Sequence, residues 1–148
     1  MRIEMDYLTK IQDLLIKSLP TQTIEGVDTV PLLAFDDHLL RRFGRMEWIH
    51  LQPESRSQPF LRQVADEIWI VLSGGIDAYW HDQRPDSPTL GVHEHRYLDA
   101  NSFLLLPFGI AFGCQTGHRE STLLRVMTHD PDSTDDARAV AWEELRED

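Results

Sequence analysis

The chain has 148 residues, enough for one domain with a real core and too few for two ordinary ones. Its 14 lysines and arginines stand against 25 acidic residues, and the resulting net charge of -11 repels nucleic acid and anionic membrane surfaces. A single cysteine, Cys114, leaves no internal disulfide, and its apolar neighbours predict a buried, unreactive thiol in a reducing compartment.

The first residues, MRIEMDYLTK, lack the basic start and apolar block of a secretory leader, and no apolar run is long enough to cross a bilayer. A soluble, cytoplasmic protein is the expectation. Ile3, Tyr7, Leu8, Ile11, Leu14, Leu15 and Leu19 recur at three- and four-residue steps, which predicts an amphipathic helix over 3–19 ended by Pro20. Residues 21–30 read as a linker or edge strand, followed by an apolar segment from Pro31 to Phe35.

From Arg45 the pattern changes to short apolar runs broken by Gly, Pro, Asn and Asp, the signature of an antiparallel sandwich or barrel. Strands are expected near 45–52, 61–73, 76–82, 93–98, 102–106, 110–115 and 121–128. Ser73-Gly74-Gly75, Asp99-Ala100-Asn101, Pro107-Phe108-Gly109 and Thr116-Gly117-His118 supply turns between them. Ser133 and Thr134 are placed to cap a helix over 135–146 that packs through Val140, Trp142 and Leu145. The fold class is therefore all-β, one domain over 1–148 with its core at 31–130 and a short helix at each end.

Alternation sorts the strand residues by face. Glu67, Trp69 and Val71 share one side while Ile68, Ile70 and Leu72 share the other, so this strand must be covered on both. Asp77, Tyr79 and His81 lie together, opposite Ile76, Ala78 and Trp80. In the connection that follows, Pro85 and Pro88 fix φ while Asp86 and Ser87 offer local hydrogen bonds.

"ADEIWIVLSGG" and "LLLPFGIAFG" resemble the two motifs of the cupins, and the similarity covers residues 45–130. It implies a jelly-roll β-barrel. Within the cupins the chain resembles the dTDP-4-dehydrorhamnose 3,5-epimerases most: Asp82, Arg84, Ser87, Pro88 and Thr89 match a family connection, and "WIHLQ" looks like the segment holding the catalytic base. That resemblance makes His50 the base and leaves Tyr79 to act as acid. The family's basic position at the first hairpin is Glu67 here, its arginine ahead of the histidine is Glu47, its second-motif histidine is Phe112, and its catalytic tyrosine falls near Arg125.

A metal cupin uses two histidines, a glutamate and a third histidine, and of these only Glu67 is kept, so no cofactor is expected. His93 and His95, on one strand face, form the alternative metal pair. With Trp48, His50, Glu67, Trp69 and Arg125 facing inward, and Gln52 and His81 beside them, the interior would suit a sugar ring or small polar ligand. The bland alternative is a ligand-free interior in which Glu67 pairs with Arg125. Three functions follow: a carbohydrate- or carboxylate-binding cupin, with or without catalysis; an active epimerase or isomerase of a deoxysugar nucleotide; and a metal enzyme with a nonstandard site. A homodimer is expected, with the N-terminal helix helping to cover the Ile68, Ile70 and Leu72 row.

Overall fold

The computed structural model describes residues 9–33, 42–130 and 137–146. Twelve strands are found among them: β1 Leu15–Ser18, β2 Gln22–Ile24, β3 Val27–Thr29, β4 Arg45–Leu51, β5 Phe60–Arg62, β6 Glu67–Ser73, β7 Gly75–Asp82, β8 His93–Asp99, β9 Ser102–Leu106, β10 Ile110–Gln115, β11 Ser121–Met127 and β12 Ala137–Ala139. They form two five-stranded antiparallel sheets, ordered β1-β9-β6-β11-β4 and β12-β5-β10-β7-β8, and a separate β2–β3 hairpin.

The period of two explains why the sheets face each other. Trp69 and Val71 of β6 meet Ile76, Ala78 and Trp80 of β7, with Leu104, Phe112 and Leu123 in the same buried cluster. Each aliphatic side chain larger than alanine in this cluster, and Phe112, stabilises the fold by roughly 1.5–3 kcal/mol relative to an exposed position. The opposite side of β6 is buried too: Ile68 and Ile70 join Phe103 and Val126 under Leu19, Val30 and Leu32. The expected cover for the outer row is therefore supplied by the strand-and-hairpin segment after Leu19, not by a helix.

Both expected terminal helices need correction where they are described. Residues 1–8 lie outside the described part. From Thr9 the chain makes a turn in which the Thr9 hydroxyl donates to the Ile11 and Leu14 carbonyls, and Asp13 takes a left-handed φ of 68°. It then enters β1, where Leu15 and Ile16 sit opposite Leu105 and Leu104 of β9. Ile11 and Leu14 do face the core, as their spacing suggests. The free edge of β9 takes the next residues as a strand, and sheet hydrogen bonds override the helical period. At the other end the capping residues Ser133 and Thr134 lie outside the described residues. Ala137–Ala139 forms a strand against β5, and only Trp142–Glu144 makes a single 3-10 turn. Val140 and Leu145 still bury themselves against Leu61 and Ala111.

The expected strand over 61–73 is two strands in different sheets. Residues 63–66 carry the chain from one sheet to the other, with Asp66 bonded through its amide to the Thr128 hydroxyl and through its carboxylate to the Phe108 amide. The β6–β7 hairpin turns at Gly74, whose φ of 77° and a would-be Cβ only 2.2 Å from the Glu120 carbonyl oxygen admit no side chain. No helix among the described residues is long and apolar enough to cross a membrane.

Candidate functional site

Inside the fold the polar residues gather where β4, β11, β6 and β5 meet. Register puts Arg125 opposite both Glu47 of β4 and Trp69 of β6. Its guanidinium donates to the Glu47 carboxylate and lies 5.3 Å from the Trp69 ring centre, a cation–π distance. Arg45 reaches the other Glu47 oxygen at 3.2 Å and Asp130 at 3.3 Å. Deeper, Glu67 is 0 % exposed and accepts from Arg62 Nε at 2.6 Å and from the Trp69 indole at 2.7 Å.

Exposure falls along this row, from the partly exposed Arg45, Glu47 and Arg125 to the sealed Glu67. The ionic pairs thus form a rim over an acidic floor. Burial raises the Glu67 pKa above its ordinary carboxyl value, and the charges of Arg125 and Arg62 only partly offset that cost. A buried carboxyl pushed toward neutrality, beside two guanidinium groups and an indole, is equipped to take and return a proton next to a polar ligand.

The expected residues separate into two groups. Glu67, Trp69 and Arg125 do converge inside. The expected Glu67–Arg125 pair is replaced by two pairs, Glu67 with Arg62 and Arg125 with Glu47. Trp48 and His50 lie on the other face of β4: Trp48 is 65 % exposed and stacks on His50 at 5.8 Å, while His50 bonds Thr122 and meets Glu120 at 3.3 Å. Inward placement of these two is thereby corrected, because Glu47, Ile49 and Leu51 take the interior side. Gln52 is exposed just past the strand, and its carbonyl accepts from Thr116.

Tyr79 and His81 also sit on an outer face, that of the second sheet. Tyr79 stacks on His95 at 4.1 Å and accepts from Gln115, and His81 stacks on His93 at 3.9 Å. Burial, and then the neighbouring His93, lower the His81 pKa. His93 contacts the Leu145 carbonyl and His95 contacts Asp77, each at 3.3 Å, so the two imidazoles serve separate partners. Among the described residues no three His, Cys, Asp or Glu side chains are grouped to hold a metal ion. Cys114 is buried, and burial pushes its thiol pKa up to about 11.

The connection after β7 is organised around Asp82, also 0 % exposed. Its carboxylate accepts from Arg84 Nε and a second guanidinium nitrogen, each at 3.0 Å, from the Arg84 amide at 3.0 Å, and from the Ser87 and Thr89 hydroxyls at 2.6 Å each. Burial opposes ionisation, but these bonds outweigh it and hold the carboxyl far below the ordinary range. This side chain organises the loop and does not point into the Glu67 cluster.

Sequence reasoning missed Arg62, Arg45 and Asp130. For Arg62 the parity count from Glu67 fails at the crossing between sheets. For Glu47 a signal was present, since Ile49 and Leu51 share its parity.

Solved structures with the same fold are numerous. The dTDP sugar isomerase of Desulfovibrio desulfuricans superposes with a TM-score of 0.83 at 17 % identity, over 95 % of this chain and 93 % of that one. The dTDP-4-dehydrorhamnose 3,5-epimerase of Bacillus anthracis, with TDP and PPi bound, gives 0.81 at 18 % identity, over 95 % and 86 %. The chain has the same fold as these dTDP-sugar isomerases and epimerases. Among curated proteins, the spore coat polysaccharide biosynthesis protein SpsL of Bacillus subtilis is 28 % identical over 118 residues, 76 % of this chain and 78 % of SpsL. No protein-family model matches the chain.

Proposed function

We propose that this epimerase-fold cupin binds a sugar nucleotide with its sugar in the cup between the sheets, and moves a proton next to the sugar ketone with Glu67. The reading takes the two sheets as halves of one jelly-roll domain and the protein as a homodimer. Its main support is the convergence of Glu67, Arg62, Trp69 and Arg125 on the inside, in a fold whose solved examples include proteins holding dTDP sugars.

The chemistry asked of these groups is modest. The Glu67 carboxylate takes the proton from the carbon beside the ketone, the C–H electron pair delocalises onto the ketone oxygen, and an arginine donates to the resulting enolate. Return of a proton by Glu67 to the same face completes exchange, and inversion takes its proton from a water on the opposite face. A carboxyl with a raised pKa is a stronger base than an ordinary one, and a nearby guanidinium stays charged throughout. Trp69 offers an apolar wall to the ring. The Arg125–Glu47 pair spans the rim and would open toward ligand phosphate, which competes for the same guanidinium.

The test is deuterium incorporation from heavy water into a dTDP-4-keto-6-deoxy sugar. Exchange is expected with the wild type and should drop by about 100-fold or more in Glu67→Gln, the usual scale for loss of a general acid–base group. His50→Ala should exchange normally. Exchange that survives Glu67→Gln and disappears in His50→Ala would overturn the assignment, and no exchange at high enzyme concentration would remove the catalytic part of it.

A further inference from the structure

A groove of about 780 Å³ lies away from the Glu67 cluster. Its walls come from five separate segments of the chain: Gln12 in the N-terminal turn, Gln63 beyond β5, Gln83 and Arg84 after β7, Phe108 ahead of β10, and Arg138 of β12. Leu61, at its base, has the opposite parity to the interior Arg62, and Arg138 sits opposite Leu61 in the β12–β5 register. The groove therefore opens on the outer side of the second sheet.

We propose that this groove binds an uncharged oligosaccharide, independently of any sugar nucleotide inside the cup. The lining is electrically balanced, with Arg84 and Arg138 against Asp13 and Asp86. Arg84 is occupied by Asp82, Asp13 and the Gln12 carbonyl, which leaves Arg138, hydrogen-bonded to the neutral Gln83, as the single lining guanidinium without a carboxylate partner among the described residues, too little for a phosphate clamp. What the groove offers instead is planar groups with hydrogen-bonding capacity. The side-chain amides of Gln12 and Gln63 make no hydrogen bond among the described residues, and the Arg138 guanidinium gives one nitrogen to Gln83 and keeps further donors.

Amide, guanidinium and carboxylate groups all suit adjacent sugar hydroxyls, each of which both donates and accepts. Phe108, 48 % exposed, provides a ring on which the C–H face of a pyranose can lie, with Pro85 and Pro88 extending the apolar strip. The scaffold is rigid: the five-bond Asp82 network fixes the turn, and Gly109, with φ at 88°, lets the Phe108 turn lie against the Arg84 stem, where a Cβ would come within 2.5 Å. A preformed groove of this size loses little ordering entropy on binding.

The probes are cellohexaose, chitohexaose and maltohexaose, titrated to millimolar concentration into the nitrogen-15-labelled full chain and followed by NMR. At least one should give saturable shifts of the Gln12, Gln63 and Gln83 side-chain amides and the Phe108 backbone. Phe108→Ala and Gln63→Ala, both at exposed positions, should each weaken that binding by about tenfold with the remaining spectrum unchanged. If none of the three saccharides moves these signals, or if dTDP moves them more strongly than any saccharide does, the proposal is wrong. Binding of dTDP is read at the Trp69 indole, so failure of the groove and failure of the cup are told apart in one set of spectra.

Discussion

Asp82 and Glu67 are both fully buried carboxylates with an arginine partner, yet their proton affinities move in opposite directions. Asp82 accepts five hydrogen bonds, from the guanidinium and amide of Arg84 and from two hydroxyls. Glu67 accepts from Arg62 and Trp69, and burial prevails over them. The number of donors aimed at the charge decides between a carboxylate held ionised and one pushed toward its neutral form. Depth alone does not distinguish them.

The largest effect expected from this contrast is at Asp82. Asp82→Asn removes an anion that five donors surround and leaves Arg84 short of its main partner, a change that should cost about 3–5 kcal/mol in denaturant unfolding. The same position governs acid stability. Its folded-state pKa lies below the ordinary 3.8, so the stabilisation is complete above that pH and is lost as pH falls below it. Asp82→Asn should therefore be far less stable at pH 6 and approach the wild type as the medium is acidified. Equal acid sensitivity of the two proteins would show that the loop network contributes little.

Glu67 should behave in the opposite sense. Its folded-state pKa is above the ordinary 4.5, so the folded protein holds the proton more tightly than the unfolded chain does. That contribution is fully present below pH 4.5 and is lost as pH rises through the folded value. Glu67→Gln lacks the titration, and its stability relative to the wild type should climb with pH above 4.5. A difference that does not change with pH in that direction would mean that Arg62 and Arg125 overcome burial and that Glu67 is a fixed anion like Asp82.

Most of the fold was legible, because alternation and turn chemistry act locally. The strands over 45–51, 75–82, 93–99, 102–106, 110–115 and 121–127 fall within a residue or so of expectation, each bounded by a Gly, Asn or polar break. The site was half legible. Glu67 and Trp69 could be placed on one side by parity, but whether Arg125 joins them and which side of β4 faces inward depend on the pairing of β11 with β6 and β4, the latter a contact across some 70 residues. Once Arg125 is known to lie opposite Glu47, His50 must point out. The terminal segments were misread because their apolar spacing fits a helix, while the free edges of β9 and β5 accept them as strands.

The smallest effect sharpens the contrast from outside. His50 and Trp48 stack on the exposed face of β4, and His50 meets Glu120 at a partly exposed position where solvent screens the pair. His50→Ala should change stability by no more than about 0.5 kcal/mol, the usual scale of surface substitutions. It should leave the pH profiles attributed to Asp82 and Glu67 in place, since neither carboxylate touches the ring. A shift of either profile in His50→Ala would mean that β4 transmits its outer-face charge to the interior through the Glu47–Arg125 pair, and the separation of the two faces would then fail.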